Sequence, residues 1–289
     1  MATTFANGDI RTASLSRSRR LREGLATGAM WASLALAGLV LGFIIYFLLA
    51  RGARAINWEF LTGDIPRNFR APGGGIGPAI LGTVVITGGA AAIAVPLGLL
   101  GAIYLNEYGG QARLASFIRF MADVMTGVPS IVMGLFIYTA WVVRFESQSG
   151  FAGALALAAL MLPIVIRSSE EILRLVPDDL REASEALGAP RWRTTLQVVL
   201  PAAASGITSG AMLAIARAAG ETAPLIFTIG VAYEPRASLR GQNTALSAQI
   251  FRNASQPFAG AQDRAWGAAL TLVVIVFVFT VLGRLVSRR

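Results

Sequence analysis

Six apolar runs, near residues 25–50, 78–105, 117–142, 151–170, 204–231 and 266–286, constrain this chain more than any other feature. Crossing about 30 Å of hydrocarbon takes roughly 20 helical residues, and each run is of that order. In lipid the backbone must satisfy its own N–H and C=O groups, so such runs are read as helices. The predicted fold class is an all-α membrane protein with six transmembrane helices. Composition agrees, with 55% hydrophobic residues, 14% charged residues and a mean hydropathy of +0.61.

The residue types that are missing exclude several function classes. All 25 basic residues are arginine, and lysine, histidine and cysteine are absent. Without Cys or His there is no disulfide framework, no Cys/His zinc site, no thiol nucleophile and no Ser-His-Asp arrangement. A non-catalytic chain with no metal is therefore expected. Without Lys there is no phosphate-binding loop of the Walker type, so any use of ATP falls to another subunit. The net charge of +9 does not point to nucleic acid, because the arginines lie between the apolar runs instead of forming one basic face. Arg17, Arg19, Arg20 and Arg22 precede an apolar stretch, as in a signal peptide, but Leu25 to Ala50 is too long for that role.

With six spans both termini lie on one side, which collects 15 arginines against 9 opposite, Arg217 falling inside a span. The positive-inside rule then predicts that both termini are cytoplasmic; the inverted chain is the counter-reading. Two long loops, about 52–77 with Gly73-Gly74-Gly75 and about 232–264, are placed outside, and a third at about 171–203 inside.

Run five contains Arg217-Ala218-Ala219-Gly220-Glu221-Thr222-Ala223-Pro224. Each charge would cost about 2.5–3.5 kcal/mol at the bilayer centre on insertion scales, so neither is expected to face lipid. Read as one continuous helix, the i, i+4 spacing puts both on one face, where they partly neutralise each other, and Pro224 releases the carbonyl of Gly220. Two readings stand. Arg217 meets an oxyanion in a solute path, its planar fork donating parallel hydrogen bonds, or the pair only fixes helix packing. Gly206, Gly210, Ala214 and Ala218 form a small-residue stripe suited to close helix contact. In run three, Thr126-Gly127-Val128-Pro129-Ser130 is read as a polar kink that leaves the Met125 carbonyl unpaired, either lining a cavity or serving packing. Asp123 is read as solvated or paired. The candidate pathway residues are Arg217, Glu221, Thr222 and Ser130.

The 171–203 loop reads as a short amphipathic helix, Asp178 to Leu187, started and capped by Pro177 and Asp178 and followed by Gly188. Glu182-Ala183-Ser184, three residues, Gly188, nine residues and Val198-Val199-Leu200-Pro201 resemble the EAA motif of ABC-importer permeases, with Ser184 and Val198 as departures of little size. Gly73 to Pro78, Gly82-Thr83, Val95 to Gly98, Tyr104 to Tyr108, Gly127 to Val132 and Ala216 to Pro224 extend the resemblance over about 73–282, to the PstA-type permease family of phosphate importers.

That resemblance implies a MetI-like fold, a core of five helices preceded here by one extra helix; the N-terminal 25 residues match nothing specific, and the domains are read as a cytoplasmic tail at 1–24, a first helix and external loop at 25–72, and a five-helix importer domain at 73–289. It implies a coupling helix on a cytoplasmic ATPase, with Arg181 and Glu182 as candidates for pairing across that interface, Ala183, Ser184 and Ala186 as its small surface, and Gly188 as the chain reversal. It implies a homologous second permease, two copies of the ATPase, an extracytoplasmic phosphate-binding protein, and residence in a bacterial inner membrane. It assigns phosphate passage to Arg217 and Glu221. No cofactor is expected on this chain, and ATP-Mg is expected on the partner ATPase. The 232–264 loop, with Asn243-Thr244-Ala245-Leu246 and Ile250-Phe251, is read as a docking surface or a lid. Rival readings are a permease for another oxyanion (phosphonate, sulfate, molybdate) and a standalone channel or secondary transporter.

Overall fold

The structure is a computed structural model that describes residues 17–110 and 112–287. Most of the 1–24 tail, with Arg288 and Arg289, lies outside the described residues. Thirteen α-helices follow in order among the described residues: α1 (Arg17–Ala55), α2 (Trp58–Thr62), α3 (Gly77–Ile103), α4 (Arg113–Gly127), α5 (Ser130–Ile137), α6 (Val143–Phe145), α7 (Gly150–Arg174), α8 (Asp178–Ala186), α9 (Arg191–Thr194), α10 (Leu200–Ala219), α11 (Ala223–Thr228), α12 (Leu246–Ala254) and α13 (Ala259–Ser287). Three π-helical turns continue or join them, at Tyr104–Tyr108 after α3, Tyr138–Val142 after α5 and Thr195–Val199 before α10.

Residues 1–49 and 50–289 form two compact units. The described part of the first is helical, and its large side chains, including Leu25, Trp31, Leu36 and Phe43, are exposed, as lipid-facing residues would be.

Among the described residues five helical stretches are long and apolar enough to cross a membrane: Leu21–Ala55, Gly77–Tyr108, Gly150–Arg174, Arg191–Ala219 and Ala259–Leu285. A sixth span exists only if Arg113–Gly127 and Ser130–Phe145 are taken together, and these meet at 105°. The third run is therefore fully broken, a larger departure than the expected kink. Val128 precedes a proline, which disfavours helical backbone there, and it adopts φ −71°, ψ 127°. Nor is the Met125 carbonyl orphaned, since Val128 N–H donates to it at 3.2 Å.

The fifth run also divides. Gly220 caps α10, and Pro224 sits in the first turn of α11, where its missing N–H costs nothing. By contrast Pro96 and Pro163 lie inside α3 and α7 without ending them.

Small residues let the central helices approach closely. A Cβ on Gly98 of α3 would lie 2.7 Å from Val165 Cγ1 of α7. The predicted stripe on α10 meets α7 as well: a Cβ on Gly206 would lie 2.6 Å from Ile172, and one on Gly210 2.8 Å from Ser168. Ala214 and Ala218 continue it into the main core, with Ile86, Ala90, Leu157, Met161 and Val165. Where hydrocarbon replaces water, such packing supplies the association that the hydrophobic effect supplies in soluble bundles.

The 232–264 segment is not an open loop. Asn243, Thr244, Ala245 and Leu246 are all buried to 1% exposure or less, so the docking or lid surface expected of these four is absent. Leu246 N–H donates to Thr83 Oγ1 at 2.9 Å, and Gly82 leaves room for the Thr244 carbonyl. Phe251 alone of the predicted contact residues is exposed.

Candidate functional site

A cavity of about 250 Å³ opens where the two chain breaks meet. The α4–α5 break supplies Met125, Thr126, Val128, Pro129 and Ser130; α7 supplies Leu160, Met161 and Ile164; the end of α10 supplies Ala214, Arg217 and Ala218, with Glu221 just beyond it. The volume is several times that of a water molecule, enough for a small anion. The N-terminus of α5 begins at this wall, and helix N-termini favour negative charge.

The geometry of Arg217 and Glu221 differs from the continuous-helix expectation. Because α10 ends at Ala219, the four-residue spacing no longer puts them on one helical face. Gly220 N–H donates to Arg217 O and Glu221 N–H to Ala218 O, each at 3.1 Å, closing the helix with a tighter turn. Among the described residues no ion pair within 4.0 Å joins Arg217 to any carboxylate. Arg217 is exposed and Glu221 half-buried, so two opposite charges share one cavity without neutralising each other.

Ser247 Oγ fixes the break by donating to Glu221 O at 2.9 Å. Ser130 lines the cavity. Thr222 does not; its carbonyl accepts from Leu225 and Ile226 N–H, starting α11. Helix α11 is seated on α5 at Gly134, where a Cβ would come within 2.5 Å of Pro224 Cα.

The second candidate site is α8. Its N-cap is Pro177, which has no side chain to cap with, and Asp178 bonds Arg181 instead of capping the helix. At the other end Gly188 has φ +81°, Gly188 N–H donates to Glu185 O and Ala189 N–H to Ser184 O. This is the Schellman closure, and it calls for a residue free of Cβ strain. Glu182, Ala183 and Ala186 are exposed, and Leu187 is 89% exposed. Ser184 instead turns inward, 2.9 Å from Thr194 Oγ1.

Arg181 also turns inward, and all five of its N–H donors are used within the chain. Nε and Nη2 reach Glu107 at 3.3 and 3.0 Å, Nη2 and Nη1 reach the carbonyls of Leu173 and Val176 at 3.0 and 2.7 Å, and Nη1 reaches Asp178 at 3.0 Å. The Glu107 carboxylate raises the affinity of this guanidinium for its proton. Only Glu182 of the two charged candidates therefore remains on the outer face.

Two further arrangements lie outside the sequence-based expectations. Glu170, 2% exposed, receives Arg119 Nε at 2.7 Å, Arg174 Nη2 at 2.6 Å and Arg167 Nη1 at 3.2 Å, while Arg167 also pairs with Asp123. The spacing Arg167, Glu170, Arg174 on one apolar helix is the signal that points to it. On the far side from α8, buried Arg264 donates to the carbonyls of Phe69, Ala71 and Gly73 at 2.7–3.0 Å, binding the 52–77 loop to α13.

Residues 94–289 match the family described as binding-protein-dependent transport system inner membrane component. A curated relative, "Phosphate transport system permease protein PstA 1" of Mycobacterium tuberculosis (strain CDC 1551 / Oshkosh), is 42% identical over 269 residues, covering 91% of this chain and 87% of the relative. Two solved structures share the fold: the MetNI methionine ABC transporter in inward-facing form (TM-score 0.57, 20% identity, 84% of this chain and 96% of that one) and a bacterial alginate ABC transporter in complex with an alginate pentasaccharide-bound periplasmic protein (TM-score 0.66, 13% identity, 93% and 95%). The chain belongs to the binding-protein-dependent transport system inner membrane component family, within its group of PstA permeases.

Proposed function

We propose that this chain is the PstA-type permease subunit of an ATP-driven phosphate importer, lining half of the translocation path and receiving force from a separate ATPase through α8. The observation that carries the reading is the cavity at the two chain breaks, where Arg217 presents an unpaired guanidinium beside the N-terminus of α5. A guanidinium fork binds phosphate oxygens through parallel charge-assisted bonds. Glu221 in the same cavity opposes a resident anion, which favours passage over tight retention.

In this reading the α8 side is cytoplasmic, and both termini lie there. Exposed Glu182, Ala183, Ala186 and Leu187 form the surface that meets the ATPase, and the exposed side of the cavity faces a second, homologous permease. ATP-Mg is bound and hydrolysed only by the two ATPase copies. An extracytoplasmic phosphate-binding protein delivers the solute to the opposite side.

The test is labelled phosphate uptake in cells lacking their own importer, with this chain expressed alongside its partners, without the ATPase, and as Arg217→Gln. Uptake is expected only with the ATPase. Loss of charge-assisted bonds worth about 1.5–3 kcal/mol predicts a fall of roughly 10- to 100-fold for Arg217→Gln at equal expression. ATPase-independent uptake would overturn the importer reading; undiminished uptake by Arg217→Gln would remove Arg217 from the path. Sulfate and molybdate competition separates phosphate from other oxyanions.

A further inference from the structure

Among the described residues, α8 buries none of its nine, so its attachment to the bundle rests on polar contacts. Three ties hold it. Arg181 reaches the last turn of α7 through the carbonyl of Leu173 and the chain just after α7 through that of Val176. It reaches α3 through the two-oxygen contact with Glu107. Ser184 meets Thr194 of α9.

Glu107 stands in the π turn that ends α3, where the extra residue per turn re-aims a side chain. Asn106 Nδ2 donates to its Oε1 at 2.7 Å, so the carboxylate is held from behind. Beside this contact lies a polar hollow of about 370 Å³, lined by Asn106, Glu107, Arg174, Asp178 and Arg181 among others. Arg181 is 17% exposed and Glu107 11% exposed, so solvent screens the pair little.

We infer that Arg181 and Glu107 are positioning residues that clamp the coupling helix to α3 and α7, so that a displacement of α8 moves these two spans together. The inference rests on the proposed coupling role of α8. Helices α3 and α7 are interlocked at Gly98 and Val165, and α7 carries Leu160, Met161 and Ile164 of the cavity wall. A rigid tie at the base of both spans therefore reaches the solute path without any contact between α8 and the cavity. An Arg fork on a carboxylate suits this work, because two parallel bonds resist rotation as well as separation.

The experiment compares the complete assembled importer carrying wild type, Glu107→Gln and Arg181→Lys. Two quantities are read: ATP hydrolysed per phosphate imported in vesicles, and hydrogen exchange in segments 102–108 and 178–188 before and after trapping the ATPases with a non-hydrolysable nucleotide. In wild type, trapping should change exchange in both segments. In Glu107→Gln it should change only 178–188, with hydrolysis per phosphate rising at least about tenfold. A merely structural pair would lower hydrolysis and uptake together and leave their ratio and the joint exchange response unchanged, which overturns the clamp. If Glu107→Gln fails to assemble, Arg181→Lys, which keeps the charge but loses the fork, decides between the same two outcomes. If wild type imports no phosphate, the phosphate reading fails, while the exchange response still decides the clamp.

Discussion

Replacing Glu170 by Gln keeps the shape of the side chain and removes the one charge that three arginines share. Breaking a buried ion pair by neutralising one partner costs about 3–5 kcal/mol, because the other charge is left uncompensated. Two of the three arginines have relief: Arg174 is 56% exposed, and Arg167 keeps its pairing with Asp123. Arg119, 24% exposed, keeps only the Leu105 carbonyl at 2.8 Å. The lower end of the range, about 3 kcal/mol, is therefore expected. At about 2–4 °C per kcal/mol for domains of 150–250 residues, the thermal midpoint of the purified complex should fall by about 6–12 °C. The assay is heating with size-exclusion detection of the intact complex, and Glu171→Gln is the control. Glu171 is exposed, and a surface substitution of this kind stays within about 0.5 kcal/mol. Equal midpoints for the two variants would refute the argument. So would a double variant, Arg119→Met with Glu170→Met, whose loss equals the sum of the single ones, because coupled residues should not add.

Gly134→Ala places a methyl group against Pro224 Cα, a backbone atom that cannot swing aside; overpacking of about 1–3 kcal/mol should lower the thermal midpoint and reduce uptake by widening the α5–α11 crossing. Gly188→Ala meets no neighbouring atom, yet its φ of +81° should cost about 1–2 kcal/mol from the backbone alone. Weaker retention of the ATPase in a pull-down checks this, with Gly188→Asn milder. Arg264→Gln strips donors from the carbonyls of Phe69, Ala71 and Gly73, and should expose segment 63–75 to limited proteolysis while leaving the α8 side unchanged.

Hydrophobic run length finds the spans because lipid imposes a length on any apolar helix. It does not find the breaks, since run length is blind to backbone direction. Thr126 to Ser130 is legible as an interruption, but a 105° turn needs room for α5 to fold back, and that room is set by Gly134 against Pro224. The 232–264 segment departs from a loop for a related reason. Asn243 and Thr244 are polar yet buried because they pair within the segment, Asn243 Oδ1 accepting from Thr244 N–H and Thr244 Oγ1 from Gln249 Nε2, whereas the buried Ser247 donates to Glu221 O, a partner that only the folded bundle supplies. Spacing locates the Gly188 reversal, since a glycine just past a short amphipathic helix has a local cause. Arg181 is legible as important but not as inward-facing, because its partner Glu107 lies 74 residues away.

The two breaks have the same grammar. Gly127-Val128-Pro129 and Gly220 through Pro224 each end one helix on a glycine and start the next beside a proline. In a bilayer such interruptions persist only where they are buried in protein or line a cavity, and here both line the same one. The consequence is electrostatic. A continuous fifth helix would have stacked Arg217 over Glu221 as an i, i+4 pair and left a neutral wall. Ending α10 at Ala219 separates the charges, so the cavity keeps both a cation and an anion; on the function proposed above, the one attracts the solute and the other limits how long it stays. If that proposal holds, the break that the proline and glycine impose is what turns two costly charges into a site, and a substitution that healed the helix should abolish phosphate uptake in the assembled importer.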